Sequence, residues 1–150
     1  MFYSNDYDFS FSGLKTAVLY DYKKRPEKVR KSQEYVKIMA GEIQQSIIDV
    51  LLKKTIKAAK DYGTKTVILG GGVAANQELR KQLKFKIQNF HPLKFSKKTW
   101  AGKKFKINFF VPQKNLCTDN AAMVALSGWF NRKKATKNLE KIKADANLRI

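Results

Sequence analysis

Cysteine is almost absent: Cys117 is the only one in 150 residues, which excludes an internal disulfide framework and suits a reducing compartment. Histidine also occurs once, at His91. A transition-metal site needs three or four ligands, usually including His or Cys, so a complete one is not expected from this chain alone. No apolar run approaches the roughly 18 residues of a membrane-spanning helix. The opening MFYSNDYDFS has neither the basic nor the apolar region of a secretory signal. Together these absences predict a cytoplasmic protein with no membrane partner. Acids are scarce too: 12 Asp and Glu face 31 Lys and Arg, a formal net charge of +19. Such a field attracts polyanions, but the excess is mostly lysine spread along the chain. A nucleic-acid surface and a lysine-rich proteome explain it equally well.

What is present supports one folded domain. Hydrophobic residues make up 43% of the chain, enough for a real core at this length. From Gln33 to about Tyr62 the pattern is helical, with Val36, Ala40, Ile43, Ile47 and Leu51 on one face. Lysines at 53, 54, 57 and 60 gather where the helix dipole favours them, and Gly63 supplies the stop. Thr64 to Leu69 then reads as a buried β-branched strand, ended by Gly70, Gly71 and Gly72. Asn76 is placed to cap a following helix whose inner face carries Leu79 and Leu83. The same order recurs: Phe105, Ile107, Phe109 and Val111 alternate as a strand closed by Pro112. Thr118 or Asp119 can cap the apolar helix AAMVALSGWF, which stops before the basic NRKK. A further strand, Asp8 to Phe11, is expected to turn into a helix at Gly13. Strands alternating with helices predict an α/β fold with a mostly parallel sheet flanked by helices.

Three blocks carry candidate chemistry. In GGGVAAN, residues 70 to 76, the glycines admit close approach of a ligand and the following helix offers its positive end to an anion. A nucleotide or acyl phosphate is the natural guest. The block also fits G-x-G-x-x-A, but the dinucleotide reading needs an acid about 20 positions on. Lys81 to Lys106 holds nine lysines and no acid, so that reading is set aside. In CTDNAAM, residues 117 to 123, Asp119 either caps a helix or ligates a cation, and taken alone the cap is the simpler account. In DFSFSGLKTA, residues 8 to 17, Ser12 and Lys15 spell S-x-x-K, with Thr118-Asp119-Asn120 imitating the S-D-N of penicillin-binding enzymes. The K-T-G strand that chemistry also requires is missing, which argues against a serine acyl-enzyme. Lys15 remains available to an anion.

In this order, DFSFSGLKTA, GGGVAANQELR and CTDNAAM resemble the C-terminal half of the TsaD family, the tRNA N6-adenosine threonylcarbamoyltransferases, over about Tyr3 to Phe130. The resemblance implies an actin-like (ASKHA) ribonuclease-H-like lobe over residues 1–131, followed by a basic tail at 132–150. It implies transfer of threonylcarbamoyl from its adenylate to N6 of the adenosine beside the tRNA anticodon. By position, Asn76 would contact the threonylcarbamoyl-adenylate or ATP, with Gly71 and Gly72 lining the pocket and Ser12 and Lys15 as further candidates. Asp119 would be this half's ligand to a divalent iron or zinc ion, whose other ligands, an H-x-x-x-H pair, belong to an N-terminal half not found here.

The expected partners are therefore tRNA, that N-terminal lobe, companion subunits of the pathway, and a second copy of the chain through any uncovered apolar face. Met1 falls almost at the first matching block, so the chain reads as a split, truncated or excised lobe, inactive without its other half. A basic insertion at about 85–104 is either a tRNA-binding arm or a surface loop, and the loop is the cheaper account. The rival function is a non-catalytic basic module that binds RNA or other subunits.

Overall fold

A computed structural model of the chain describes residues 4, 6–89, 107–135, 138 and 140. These form two compact units, Met1–Cys117 and Thr118–Ile150. The first unit is α/β. Helix α1 (Ser12–Lys24) and the single turn α2 (Glu27–Arg30) lead into the long α3 (Gln33–Asp61); strand β1 (Thr66–Ile68), α4 (Gln77–Gln88) and β2 (Asn108–Phe110) follow. The two strands pair in parallel, with Thr66 opposite Asn108, Val67 opposite Phe109 and Ile68 opposite Phe110. Parallel neighbours require a crossover, and here α4 lies within it.

The long helix starts and stops as its sequence dictates. Ser32 caps it by accepting the Tyr35 amide at 3.2 Å. At the other end Gly63 has φ 60°, a left-handed conformation that costs a glycine little. Thr64 N then donates to Ala59 O and Gly63 N to Lys60 O, a Schellman ending that turns the chain directly toward β1.

The core face of α3 differs from the expected stripe. Ile48, Leu52 and Ala59 are buried, with Leu51 and Ile56 packed beside them, whereas Val36 and Ala40 are exposed. The contacts of α4 reach back along α3 as far as Gln44 and Gln45, which bond to Asn76 and Gln82, whereas Val36 and Ala40 lie nearer the N-terminal end of α3, where α1 and α2 also pack. From α4, Leu79, Leu83 and Ile87 face this core at a spacing of four, together with Ile107; each fully buried side chain of this size contributes about 1.5–3 kcal/mol. The strand at residues 66–68 is half covered rather than buried. Val67, Leu69 and Phe109 pack on the core, while Ile68 (74% exposed) and Phe110 (59%) face away, because successive strand side chains alternate.

One other expectation changes. Residues 8–11 form no strand. The residues just before it are fastened at α3 by side chains: Tyr7 Oη donates to Asp61 at 2.8 Å and its ring lies 5.5 Å from that of Tyr62. Lys54, one of the lysines grouped above near the end of the helix, is 3% exposed. Its ammonium donates to Ser4 Oγ at 3.0 Å, to the Asp6 carbonyl at 3.1 Å and to the Asp6 carboxylate. All three donors of a lysine are thereby used.

In the second unit, α5 (Ala121–Asn131) begins at Asn120, whose side chain accepts the Met123 amide at 3.1 Å. Neither Thr118 nor Asp119 is the cap. Met123, Val124, Leu126, Trp129 and Phe130 of α5 are all exposed. The basic insertion expected at 85–104 overlaps the end of α4 up to Gln88; its remainder from 90, Phe105 of the second strand, His91 and most of the tail lie outside the described residues. Among the described residues no helix is long and apolar enough to cross a membrane.

Candidate functional site

The glycine block sits where β1 ends. Leu69 N extends the ladder to Phe110 O at 2.9 Å, and the chain then leaves the sheet. Gly71 has φ 78° and ψ 178°, a conformation an L side chain adopts only under strain. Gly72–Ala75 follows as a short 3-10 turn, closed by Ala74 N to Gly71 O and Asn76 N to Val73 O, both at 3.0 Å. A Cβ built on Gly70, Gly71 or Gly72 would meet nothing within 4 Å. No protein atom therefore forbids a side chain at Gly70 or Gly72; the space above the turn is open, and only Gly71 is required by backbone conformation.

Asn76 joins this turn to α4. Its Oδ1 accepts the Leu79 amide at 3.0 Å, and its Nδ2 donates to Gln44 Oε1 of α3 at 3.0 Å. One side chain thus caps a helix and ties it to its neighbour. The helix start presents amide donors and a positive dipole end to the open turn. Glu78 lies in that first turn, but its carboxylate accepts from Gln82 Nε2 at 3.0 Å, one turn further along the helix.

Beyond β2 the chain makes a second 3-10 turn, Lys114–Leu116, which packs against Gly72–Ala75. Both turns issue from the C-terminal ends of parallel neighbours, the usual place for ligands in open α/β sheets. Arg80 connects them. Its Nε donates to the carbonyl of the wholly buried Ala74, and its Nη2 donates to Cys117 Sγ at 2.8 Å. The Cys117 thiol in turn donates to Gln113 O at 3.3 Å. Neither Gln44 nor Arg80 was singled out by sequence reasoning. Arg80 closes the GGGVAANQELR block and was legible there only as a basic residue near a helix start; Gln44 had no local signal.

The structure brings Gly71, Gly72 and Asn76 together. Ser12 opens α1, its hydroxyl 2.7 Å from that of Ser10 and its carbonyl accepting from Thr16. Lys15 lies on the same helix at the rim of an apolar groove of about 460 Å³ between α1 and α3, lined by Leu19, Tyr22, Val36 and Ile43 among others. Asp119 belongs to the second unit, exposed and immediately before the capping Asn120. Its carboxylate has no capping duty, since Asn120 Oδ1 accepts the Met123 amide; the Asn120 side-chain amide also donates to Thr118 O at 2.9 Å. Among the described residues no three His, Cys, Asp or Glu side chains gather as metal ligands, so Asp119 does not make a metal site on its own.

The family model described as tRNA N6-adenosine threonylcarbamoyltransferase matches residues 1–126. Curated relatives of that name include one from Thermosipho africanus, 40% identical over 98% of this chain and 39% of its own length. Another from Syntrophomonas wolfei is 42% identical over 85% of this chain and 32% of its own. A third, from Desulfotalea psychrophila, is 46% identical over 82% of this chain and 32% of its own. The chain therefore spans only 32 to 39% of these curated relatives.

Proposed function

Because the chain belongs to the tRNA N6-adenosine threonylcarbamoyltransferase family, we propose that it supplies the nucleotide-binding lobe of such an enzyme, with the remaining lobe contributed by another chain. The reaction is transfer of threonylcarbamoyl from its adenylate to N6 of an adenosine in tRNA. In this reading the actin-like arrangement of the family holds. The phosphate of threonylcarbamoyl-adenylate or ATP rests over Gly71 and Gly72, before the start of α4. Asn76 borders the nucleotide, and Ser12 and Lys15 border the anion from α1. N6 attacks the carbonyl carbon of the threonylcarbamoyl group, the bond from that carbon to the phosphate oxygen breaks, AMP departs and N6 releases a proton. Backbone amides of the turn and the positive end of α4 stabilise the charge that grows on the departing phosphate.

Asp119 would contribute one ligand to a divalent iron or zinc ion, whose other ligands would come from outside this chain. One carboxylate does not hold such an ion by itself. Lysines among the 31 basic residues bear on the tRNA backbone, and companion subunits supply the adenylate. The reading places the reaction in the cytoplasm. The non-catalytic alternative rests on net charge alone, and charge accounts for neither the open glycine turn nor the bare Asp119.

The observation that carries the proposal is the empty space above Gly70 to Gly72, at the C-terminal ends of two parallel strands. Gly72→Ala tests it, since the added methyl meets no protein atom but projects into the proposed phosphate space. Titrating the chain with ATP should shift the amide resonances of Gly71, Gly72 and Gln77. In Gly72→Ala the thermal midpoint should stay close to the native one while the response weakens by on the order of tenfold. A native chain whose turn amides ignore millimolar ATP, or a Gly72→Ala chain that binds equally well, would sink the proposal.

A further inference from the structure

We infer that Arg80 is a positioning residue: it fastens the glycine turn to the loop that leads into Asp119, so that the two loops keep one arrangement. Three observations carry this. First, the guanidinium is shared between the loops, Nε to the Ala74 carbonyl and Nη2 to Cys117 Sγ. Second, both acceptors are buried, Ala74 at 0% and Cys117 at 2% exposure. Water cannot replace Arg80 there without entering the packed contact between Gly72–Ala75 and Lys114–Leu116. Third, the planar fork is what the geometry uses. Two nitrogens of one rigid group reach acceptors in two segments more than 40 positions apart in sequence, which a lysine ammonium on a flexible stem does not reproduce.

Helical side chains lean toward the N-terminus of their own helix, so Arg80, fourth residue of α4, is carried back to the turn that α4 starts from. Asn76 braces the same turn to α3 through Gln44. The glycine turn is therefore held from both sides, by Asn76 and Gln44 on one and by Arg80 and Cys117 on the other. Cys117 closes the first unit, two positions before Asp119 in the chain. The consequence for nucleotide affinity rests on the function proposed above; the clamp itself does not.

Cys117 is the sole cysteine, which makes it a built-in reporter. Labelling of the chain by a thiol reagent is measured in the native protein, in Arg80→Met, which keeps the stem but donates nothing, and in Arg80→Lys. Lys81→Met, an exposed neighbour on α4, serves as control. Loss of the two guanidinium hydrogen bonds should accelerate labelling by on the order of tenfold to a hundredfold. Arg80→Lys should fall between Arg80→Met and native, and it decides the matter should Arg80→Met fail to fold. Lys81→Met should label at the native rate.

The acceleration should be insensitive to low concentrations of urea, as expected when a local opening exposes the thiol. A merely structural role would expose Cys117 only through global unfolding, with a rate that climbs with urea. In parallel, ATP binding to Arg80→Met should weaken about tenfold by loss of a preorganised turn. Native labelling rates in both Arg80 variants, or acceleration that tracks global unfolding, would overturn the inference. Fast local labelling beside a native chain that ignores ATP would uphold the clamp and reject the nucleotide reading.

Discussion

Asn76 was legible at the residue scale because Asn before a helical pattern has a physical job, and it performs that job through the Leu79 amide. What sequence did not reveal is the use of its other end on Gln44, a contact across 32 positions. Removing the side chain therefore tests two things. Asn76→Ala should cost about 1 kcal/mol through the lost cap, read from urea denaturation, whereas Gln44→Ala, which spares the cap, should cost less. Equal losses in the two variants would mean that the cap is not the main interaction. Asp119 is the converse case: sequence offered it two roles, and the structure assigns the capping role to Asn120 one position later. The difference of a single residue is decided by where α5 takes up helical dihedrals, which local propensity resolves poorly.

At the scale of elements, α3 and α4 followed from periodicity and end signals, including Gly63 and the inner Leu79 and Leu83. The exposed N-terminal half of α3 did not, since an apolar stripe states that a face wants cover but not whether another element arrives to cover it. The segment before α1 was misread as a strand for a related reason, the residues just before it being fastened by Lys54 and Asp61 far along the chain. Those contacts predict a definite pH response. The hydrogen bond from Lys54 holds the Asp6 carboxyl below its ordinary value of 3.8, and the bonds from Lys57 and Tyr7 do the same for Asp61. A depressed acid contributes stability above 3.8 and loses it as pH falls through the lower folded value.

The bond to Asp61 likewise raises Tyr7 above 10.0 and Lys57 above 10.5. Those groups contribute fully below their ordinary values, and the contribution disappears as pH rises through the higher folded ones. The thermal midpoint should therefore be flat with respect to these groups through neutrality and fall at both extremes. Asp6→Asn should lower the plateau and shrink the acid arm while leaving the alkaline arm in place. An acid arm unchanged in that variant would exclude Asp6 as its source.

For the whole molecule, the apolar side chains of α5 and the groove between α1 and α3 stand open, and the chain spans about a third of its curated relatives. On the function proposed above, the expected cover for each of these two surfaces is the other lobe. Mixing the chain with a separately expressed N-terminal two-thirds of a relative should give a stoichiometric complex by sedimentation and restore tRNA modification that neither piece performs alone. Asp119→Ala should leave the complex intact and abolish the modification. Self-association of the chain without any such complex would assign the apolar surface to a second copy instead.

Sequence by itself determined the helices α3, α4 and α5, the two paired strands, the family and the glycine turn, because each depends on local signals: a 3.6-residue period, a cap, a left-handed glycine, a run of motifs in order. Tertiary structure alone decided which face of α3 is core, that Lys54 is an anchor rather than a surface charge, and that Arg80 bridges two loops. Each of those depends on a partner tens of positions away, and the free energy of such a pairing is written in neither residue until the chain has folded to bring them together.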